Sequence, residues 1–173
     1  MTLIDRYIAQ FVYGAFDGVV TTFAVVAAGT GAGLPSRVVV ILGLANLFAD
    51  GFSMGSSAYL SHQAERKRSK SKKAVHVPSR MALATFIAFI IVGFIPVIPY
   101  FADVVSPIHL SLHDMFVISS ILTAMAFVWL GIAKAHAAKS SIIGSTVETF
   151  ILGITAASLA YFVGAILEKA FAV

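Results

Sequence analysis

The chain repeats one pattern: blocks of about 20 apolar residues, the length a helix needs to span the hydrocarbon core of a bilayer. Five such blocks fall at about 11–32, 37–61, 81–101, 114–134 and 146–167 of the 173 residues. In lipid every backbone amide and carbonyl must be satisfied internally, so each block is expected to be a helix. The expected fold is therefore an all-α integral membrane protein with five transmembrane helices. Charged residues make up only 12% of the chain, about half the share usual in a soluble domain. Residues 1–173 are thus expected to form a single transmembrane domain. The N-terminal ten residues carry one Arg and one Asp, and the apolar run behind them is too long for a signal sequence, so the first block is expected to stay in the mature protein.

Five spans put the two termini on opposite sides. Arg6, the seven basic residues between Arg66 and Arg80, Lys134 and Lys139 then share one side, ten of the twelve Lys and Arg; Arg37 and Lys169 fall on the other. The positive-inside rule predicts a cytoplasmic N-terminus and a C-terminus outside or in a lumen. Residues 62–80 become a basic cytoplasmic loop. Its run at 66–73 lies between two spans, so anionic lipid headgroups are a better partner for it than nucleic acid. With no cysteine, neither a disulfide framework nor a thiolate metal site is possible.

Within the spans the polar residues are few. Span one carries Asp17 beside the pair Gly14 and Gly18, whose spacing lets two helix backbones approach closely. Span two carries Asn46, Asp50 and Met54, four residues apart and so on one helix face, with a second glycine pair, Gly51 and Gly55. Gly33-Leu34-Pro35-Ser36 is the turn between these spans, with Ser36 a candidate N-cap. Pro96 and Pro99 should kink or end span three, and Trp129 suits an interfacial position near the second end of span four.

A carboxylate in hydrocarbon costs about 2.5–3.5 kcal/mol on insertion scales, so an acid there is first a functional hypothesis. Counted from the cytoplasmic ends of their spans, Asp17 lies roughly 9 Å deep, Met54 roughly 10 Å and Asp50 roughly 16 Å. Asp17 and Met54 are thus expected to meet across antiparallel helices. Carboxylate with thioether favours a later first-row metal such as Fe²⁺, with Mn²⁺ or Co²⁺ also possible, over Mg²⁺ or Ca²⁺. Metal binds the deprotonated ligands, so metal and proton compete for the same groups.

The segments FDGVVTTFAVVAAGTGAG, GLANLFADGFSMGSSAYLS, ALATFIAFIIVGFIPVIPYF and ILGITAASLAYFVGAILE resemble the vacuolar iron transporter family, in the same order and over nearly the whole chain. The resemblance implies a five-helix homodimer that exports Fe²⁺, and often Mn²⁺, from the cytosol in exchange for protons along a pathway at the dimer axis. It implies Asp17 and Met54 as central ligands, and Asn46 falls where some members have a carboxylate. The metal is cargo, and no resident cofactor is expected. Many members carry a Glu-rich helical domain between spans two and three; only the basic segment stands here, so the chain resembles the short branch of the family. The usual SMxxGEY reads SMGSSAY, with Ala58 at the Glu position, while Asp50 stands where a small residue is more usual. A bacterial inner membrane is the expected location.

Each residue also has a plainer reading. Asp17 could cap a helix or pair with Arg6, Asp50 could be hydrogen-bonding glue between helices, and Asn46 reads as an interhelical hydrogen-bonding residue. Met54 alone would be core filler. Glu148 could line an entrance or sit at the interface. His109 and His113 beside Asp114, and His62 with Glu65, have metal-compatible spacing but read as solvated loop ends. An intramembrane hydrolase would need a nucleophile and base at matched depth or an HExxH-like metal pair, and the sequence offers neither arrangement, since every His lies in or beside a loop. A non-transporting scaffold would account for the small-residue packing but leave the intramembrane acids without a compensating role.

Overall fold

A computed structural model describes residues 3–68, 77–106 and 110–171, with side chains from residue 7 onward. Lys70, Lys72, Lys73 and His109 lie outside the described residues, as does the Arg6 side chain. The described residues are helical: α1 (Leu3–Gly31), α2 (Ser36–Arg68), α3 (Pro78–Gly93), a 3₁₀ turn (Ile95–Val97), α4 (Ile98–Val105), α5 (Leu112–Ala138) and α6 (Ile142–Phe171). They supply five helical spans long and apolar enough to cross a membrane, α3 and α4 together forming the third.

The third span breaks where its prolines fall. Pro96 and Pro99 cannot donate to the helix ladder, and α3 gives way to the 3₁₀ turn and then α4. The buried Ser119 hydroxyl of α5 donates to the Pro96 carbonyl at 2.7 Å, satisfying a carbonyl at the break.

Span two runs further than its apolar block. α2 continues through His62 to Arg68, so the 62–80 segment begins as helix and ends as the start of α3. Two local effects favour the extension. His62 Nδ1 lies 3.2 Å from Glu65 one turn on, and Arg66, Lys67 and Arg68 complement the negative end of the helix dipole.

α1 is the central helix, packed on α2, α3, α5 and α6. Its glycines decide how close the neighbours come. A Cβ on Gly14 would stand 2.5 Å from the Thr85 carbonyl oxygen, and one on Gly18 would stand 2.5 Å from that of Phe89, so α3 lies directly on the backbone of α1. Gly31 and Gly164 make a similar close crossing between α1 and α6. Both pairings are internal to the chain. On α2, Gly51 and Gly55 face Phe86 of α3. The core has one part among α1, α3 and α5, around Val19, Phe127 and Leu130, and another around Val26, Val97 and Tyr100. α2 and α6 make no extended contact with each other, which leaves a face of α1 open between them.

The α1–α2 turn is tightly built. Gly33 adopts φ 63, the left-handed conformation that ends many helices, and the Leu34 amide reaches back to the Gly29 carbonyl at 2.9 Å. α2 begins at Ser36, and the first helical bonds run from the amides of Val38 and Val39 to the Pro35 carbonyl. Ser36 is therefore the first helical residue rather than the cap; its hydroxyl donates to the Met115 sulfur at 3.6 Å. Thr30 and Tyr100 join hydroxyls at 2.7 Å and tie the same end of α1 to α4.

Candidate functional site

Because the turn is short and fixed, it sets the register of α1 against α2. Asp17 lies fourteen residues before Gly31, and Asp50 lies fourteen residues after Ser36. Both helices rise 1.5 Å per residue, so the two acids stand at about the same height. The side chains agree with this count. Asn46 Nδ2 donates to Thr21 Oγ1 at 3.5 Å, one turn nearer the connecting turn.

The register differs in one respect from depths counted at the span ends away from the connecting turn. Asp17 faces Asp50, while Met54 lies one turn further from the connecting turn, level with Tyr13. The discrepancy comes from where the counting starts. Both helices overrun their apolar blocks at the far end, α1 to Leu3 and α2 to Arg68, whereas the turn end is pinned by hydrogen bonds.

The polar stripe thus runs along two helices in three levels: Met54, then Asp50 with Asp17, then Asn46 with Thr21. All five residues are partly buried. The Thr21 hydroxyl donates to the Asp17 backbone carbonyl at 2.9 Å while accepting from Asn46, so the level nearest the connecting turn is a hydrogen-bonded clasp. The plainer reading of Asn46, an interhelical hydrogen bond, is what the structure shows. Neither Asp17 nor Asp50 has a hydrogen bond to its carboxylate among the described residues. Two acids stand at one height in an apolar span with no cation from the described chain beside them.

Asn46 and Asp50 also line an open groove of about 640 Å³ bounded by α1, α2 and α6. Among the described residues no group of three or more His, Asp or Glu side chains converges as a metal site. A single chain therefore places two carboxylates at one level, with Met54 and Asn46 a turn away on either side.

The remaining candidates have local roles. Glu148 is exposed and pairs with Lys134 at 2.6 Å, a bridge between α5 and α6. Asp114 belongs to the start of α5: its amide donates to Ser111 Oγ at 3.1 Å and its carboxylate accepts from that hydroxyl at 2.7 Å. Trp129 is exposed near the second end of α5 and packs edge-on to Phe11 at 6.2 Å. Thr21 and Glu168, which lines the groove, are the residues that sequence reasoning left aside. The register count from the turn would have brought Thr21 into the stripe.

A family model described as the VIT family matches residues 8–77 and 69–165. A vacuolar iron transporter of Toxoplasma gondii is 43% identical over 67 residues, covering 39% of this chain and 22% of the relative. A vacuolar iron transporter of Plasmodium falciparum is 44% identical over 55 residues, 32% of this chain and 20% of the relative. In both cases the match spans about a fifth of the relative's length. Vacuolar iron transporter 1 of Arabidopsis thaliana is 22% identical over 221 aligned positions that take in 93% of this chain and 86% of the relative.

Proposed function

This chain belongs to the VIT family, and on that premise we propose that it carries Fe²⁺, and Mn²⁺ as a second substrate, out of the cytosol in exchange for protons. The observation that carries the reading is the pair Asp17 and Asp50, held at one height by the α1–α2 turn and without a protein cation beside it among the described residues.

Each residue has a distinct part. Asp17 and Asp50 bind the ion and, when it leaves, take up protons; the two charges cannot both stay bare in a medium of low dielectric. Met54, one turn toward the basic end, adds a soft sulfur ligand that favours Fe²⁺ over Mg²⁺ or Ca²⁺. Asn46, one turn the other way, offers a neutral oxygen beyond the main site while its amide nitrogen holds Thr21.

The ligands of one chain do not complete the coordination of a first-row ion, and the reading supplies the rest from a second copy. A homodimer formed on the open face of α1 and α2 brings two sets of Asp17, Asp50 and Met54 together. Leu42, Ala45 and Ala49 of α2 line that open face beside Asn46 and Asp50 and suit such an apolar contact.

Direction follows from charge. Arg66, Lys67, Arg68, Arg80, Lys134 and Lys139 cluster at the bundle end opposite the α1–α2 turn, while Arg37 and Lys169 lie at the turn end. The basic end faces the cytoplasm, with Arg66–Arg68 against anionic headgroups, and the turn end faces the outside of a bacterial inner membrane.

The test uses proteoliposomes holding a metal-quenched dye under an imposed pH gradient. Added Fe²⁺ or Mn²⁺ is expected to quench the dye, and Asp17→Asn and Met54→Ala are each expected to lower the rate at least tenfold. Proton-dependent flux unchanged in both variants would refute the site. Absence of flux for every divalent ion would favour a non-transporting scaffold.

A further inference from the structure

We propose that the cleft between α1, α5 and α6 at the basic end of the bundle holds one anionic phospholipid, its phosphate on Lys134 and an acyl chain in the cleft. None of the stripe residues on α1 and α2 lines this cleft, and the proposal does not depend on metal transport.

The cleft has a volume of about 480 Å³. On α1 it extends from Ala9 to Phe16, so it is roughly 10 Å deep at 1.5 Å per residue. Its floor is apolar. Val12 and Leu130 there are buried hydrophobic residues, and the buried Thr149 hydroxyl already donates to the Ser145 carbonyl at 2.8 Å. A polar molecule would find no partner at that depth. The rim differs, since it is formed by the last two turns of α5 and carries Lys134, the one charged side chain lining the cleft among the described residues. Its ammonium gives one donor to Glu148 at 2.6 Å and has three in all. Lys139, the C-cap of α5, adds a second positive charge at the same end. Exposed Tyr13 and Leu152 on the walls leave the cleft open along its side, and a Tyr near a span end suits the headgroup level.

The occupant must therefore be negative at the rim, apolar below it, and able to enter sideways from the bilayer. An anionic phospholipid meets all three conditions, and basic pockets between membrane helices are where such headgroups bind. A zwitterionic lipid would bring its own ammonium up to Lys134 and gain no net attraction. Glu148 does not line the cleft but holds the same amine, so it competes with the phosphate.

The test uses delipidated protein in neutral detergent, given phosphatidylglycerol and phosphatidylcholine in equal amounts and read by native mass spectrometry. Phosphatidylglycerol is expected to stay bound in preference to phosphatidylcholine. Lys134→Gln should weaken its retention about fivefold, the worth of one lysine near a membrane surface. Glu148→Gln should strengthen retention, because it removes the competitor for the amine. Ala138→Phe, at an exposed rim position, should weaken it with the charge unchanged. Arg66→Gln, Lys67→Gln and Arg68→Gln together should leave it intact. Equal retention of the two lipids would overturn the inference, as would loss in the triple variant with full retention in Lys134→Gln. Loss in both Lys134→Gln and Glu148→Gln would overturn it as well, since a purely structural bridge weakens from either side whereas a lipid site responds with opposite signs.

Discussion

Replacing Gly18 by alanine puts a methyl group where α3 already stands. The new Cβ would lie 2.5 Å from the Phe89 carbonyl oxygen and 3.0 Å from Phe89 Cα. Close carbon–oxygen contacts settle near 3.3 Å, so α1 and α3 must part by roughly 0.8 Å at this level. A gap of about that size forfeits a quarter to a half of the dispersion energy between the facing atoms. Neither partner can turn aside, since both are helix backbone, and the cost belongs in the middle of the range of about 1–3 kcal/mol for overpacking, near 2. For a chain of this length that lowers the melting temperature by about 4–8 °C. The assay is thermal unfolding of the purified protein in detergent, followed by the fluorescence of Trp129, the single tryptophan. Its edge contact with Phe11 of α1 makes it a reporter on the central helix. Gly93→Ala strikes the same seam from the other side, its Cβ 2.8 Å from the Gly18 carbonyl. The double variant should therefore lose less than the sum of the two, because one separation of α1 and α3 relieves both backbone clashes and leaves only the Gly93→Ala contact with Leu47 Cδ2, at 2.6 Å, to side-chain adjustment. Gly144→Ala is the control: its Cβ meets nothing nearer than Ser141 at 3.6 Å, and helix propensity favours alanine by about 1 kcal/mol. A Gly18→Ala protein that melts with the wild type would show that α1 and α3 do not pack backbone to backbone.

Three further outcomes are expected. Ser119→Ala strands the buried Pro96 carbonyl and should cost about 1–3 kcal/mol in the same melting assay, while Ser119→Cys, which keeps a weak donor, should lose less. Lys134→Gln and Glu148→Gln break an exposed pair and should each change stability by less than about 1 kcal/mol; a larger loss from either would mean that the bridge holds α5 to α6. Deleting Lys70 to Lys73 should leave the ratio of Fe²⁺ to Mn²⁺ flux unchanged, and an altered ratio would make the basic segment part of the ion's path.

Periodic apolar length made the five spans legible, because in lipid a helix is the one open structure that a single segment can complete alone. The prolines of span three marked its break for the same local reason, a missing donor. The ends of α1 and α2 were not legible, since polar helix outside the membrane is stabilised by dipole and side-chain pairs rather than by burial, and hydropathy does not register it. The stripe on α2 was visible as a four-residue spacing, but its partners on α1 were misjudged by one turn. Depth measured inward from an uncertain boundary carries that boundary's error, whereas the hydrogen-bonded turn at Gly33 carries almost none. The glycine pairs were read as permitting close approach; which helix would use them depended on a three-dimensional choice between α3, α6 and another copy that the spacing alone does not encode.

The short connection between α1 and α2 also constrains what mutation can do to this protein. Each residue added to α2 between Val38 and Asn46 would advance everything behind it by 1.5 Å and turn it by about 100°, swinging Asp50 out of phase with Asp17. The buried edge at Val39, Val40, Gly43 and Leu47 would be dragged round with it, so the fold would resist the change before the chemistry did. Only a whole extra turn, three or four residues at once, would bring the acids back onto a common azimuth, and then at a new height. Lengthening this hairpin by small steps is therefore closed to the chain, and what can vary freely at this level is the side chains along the stripe.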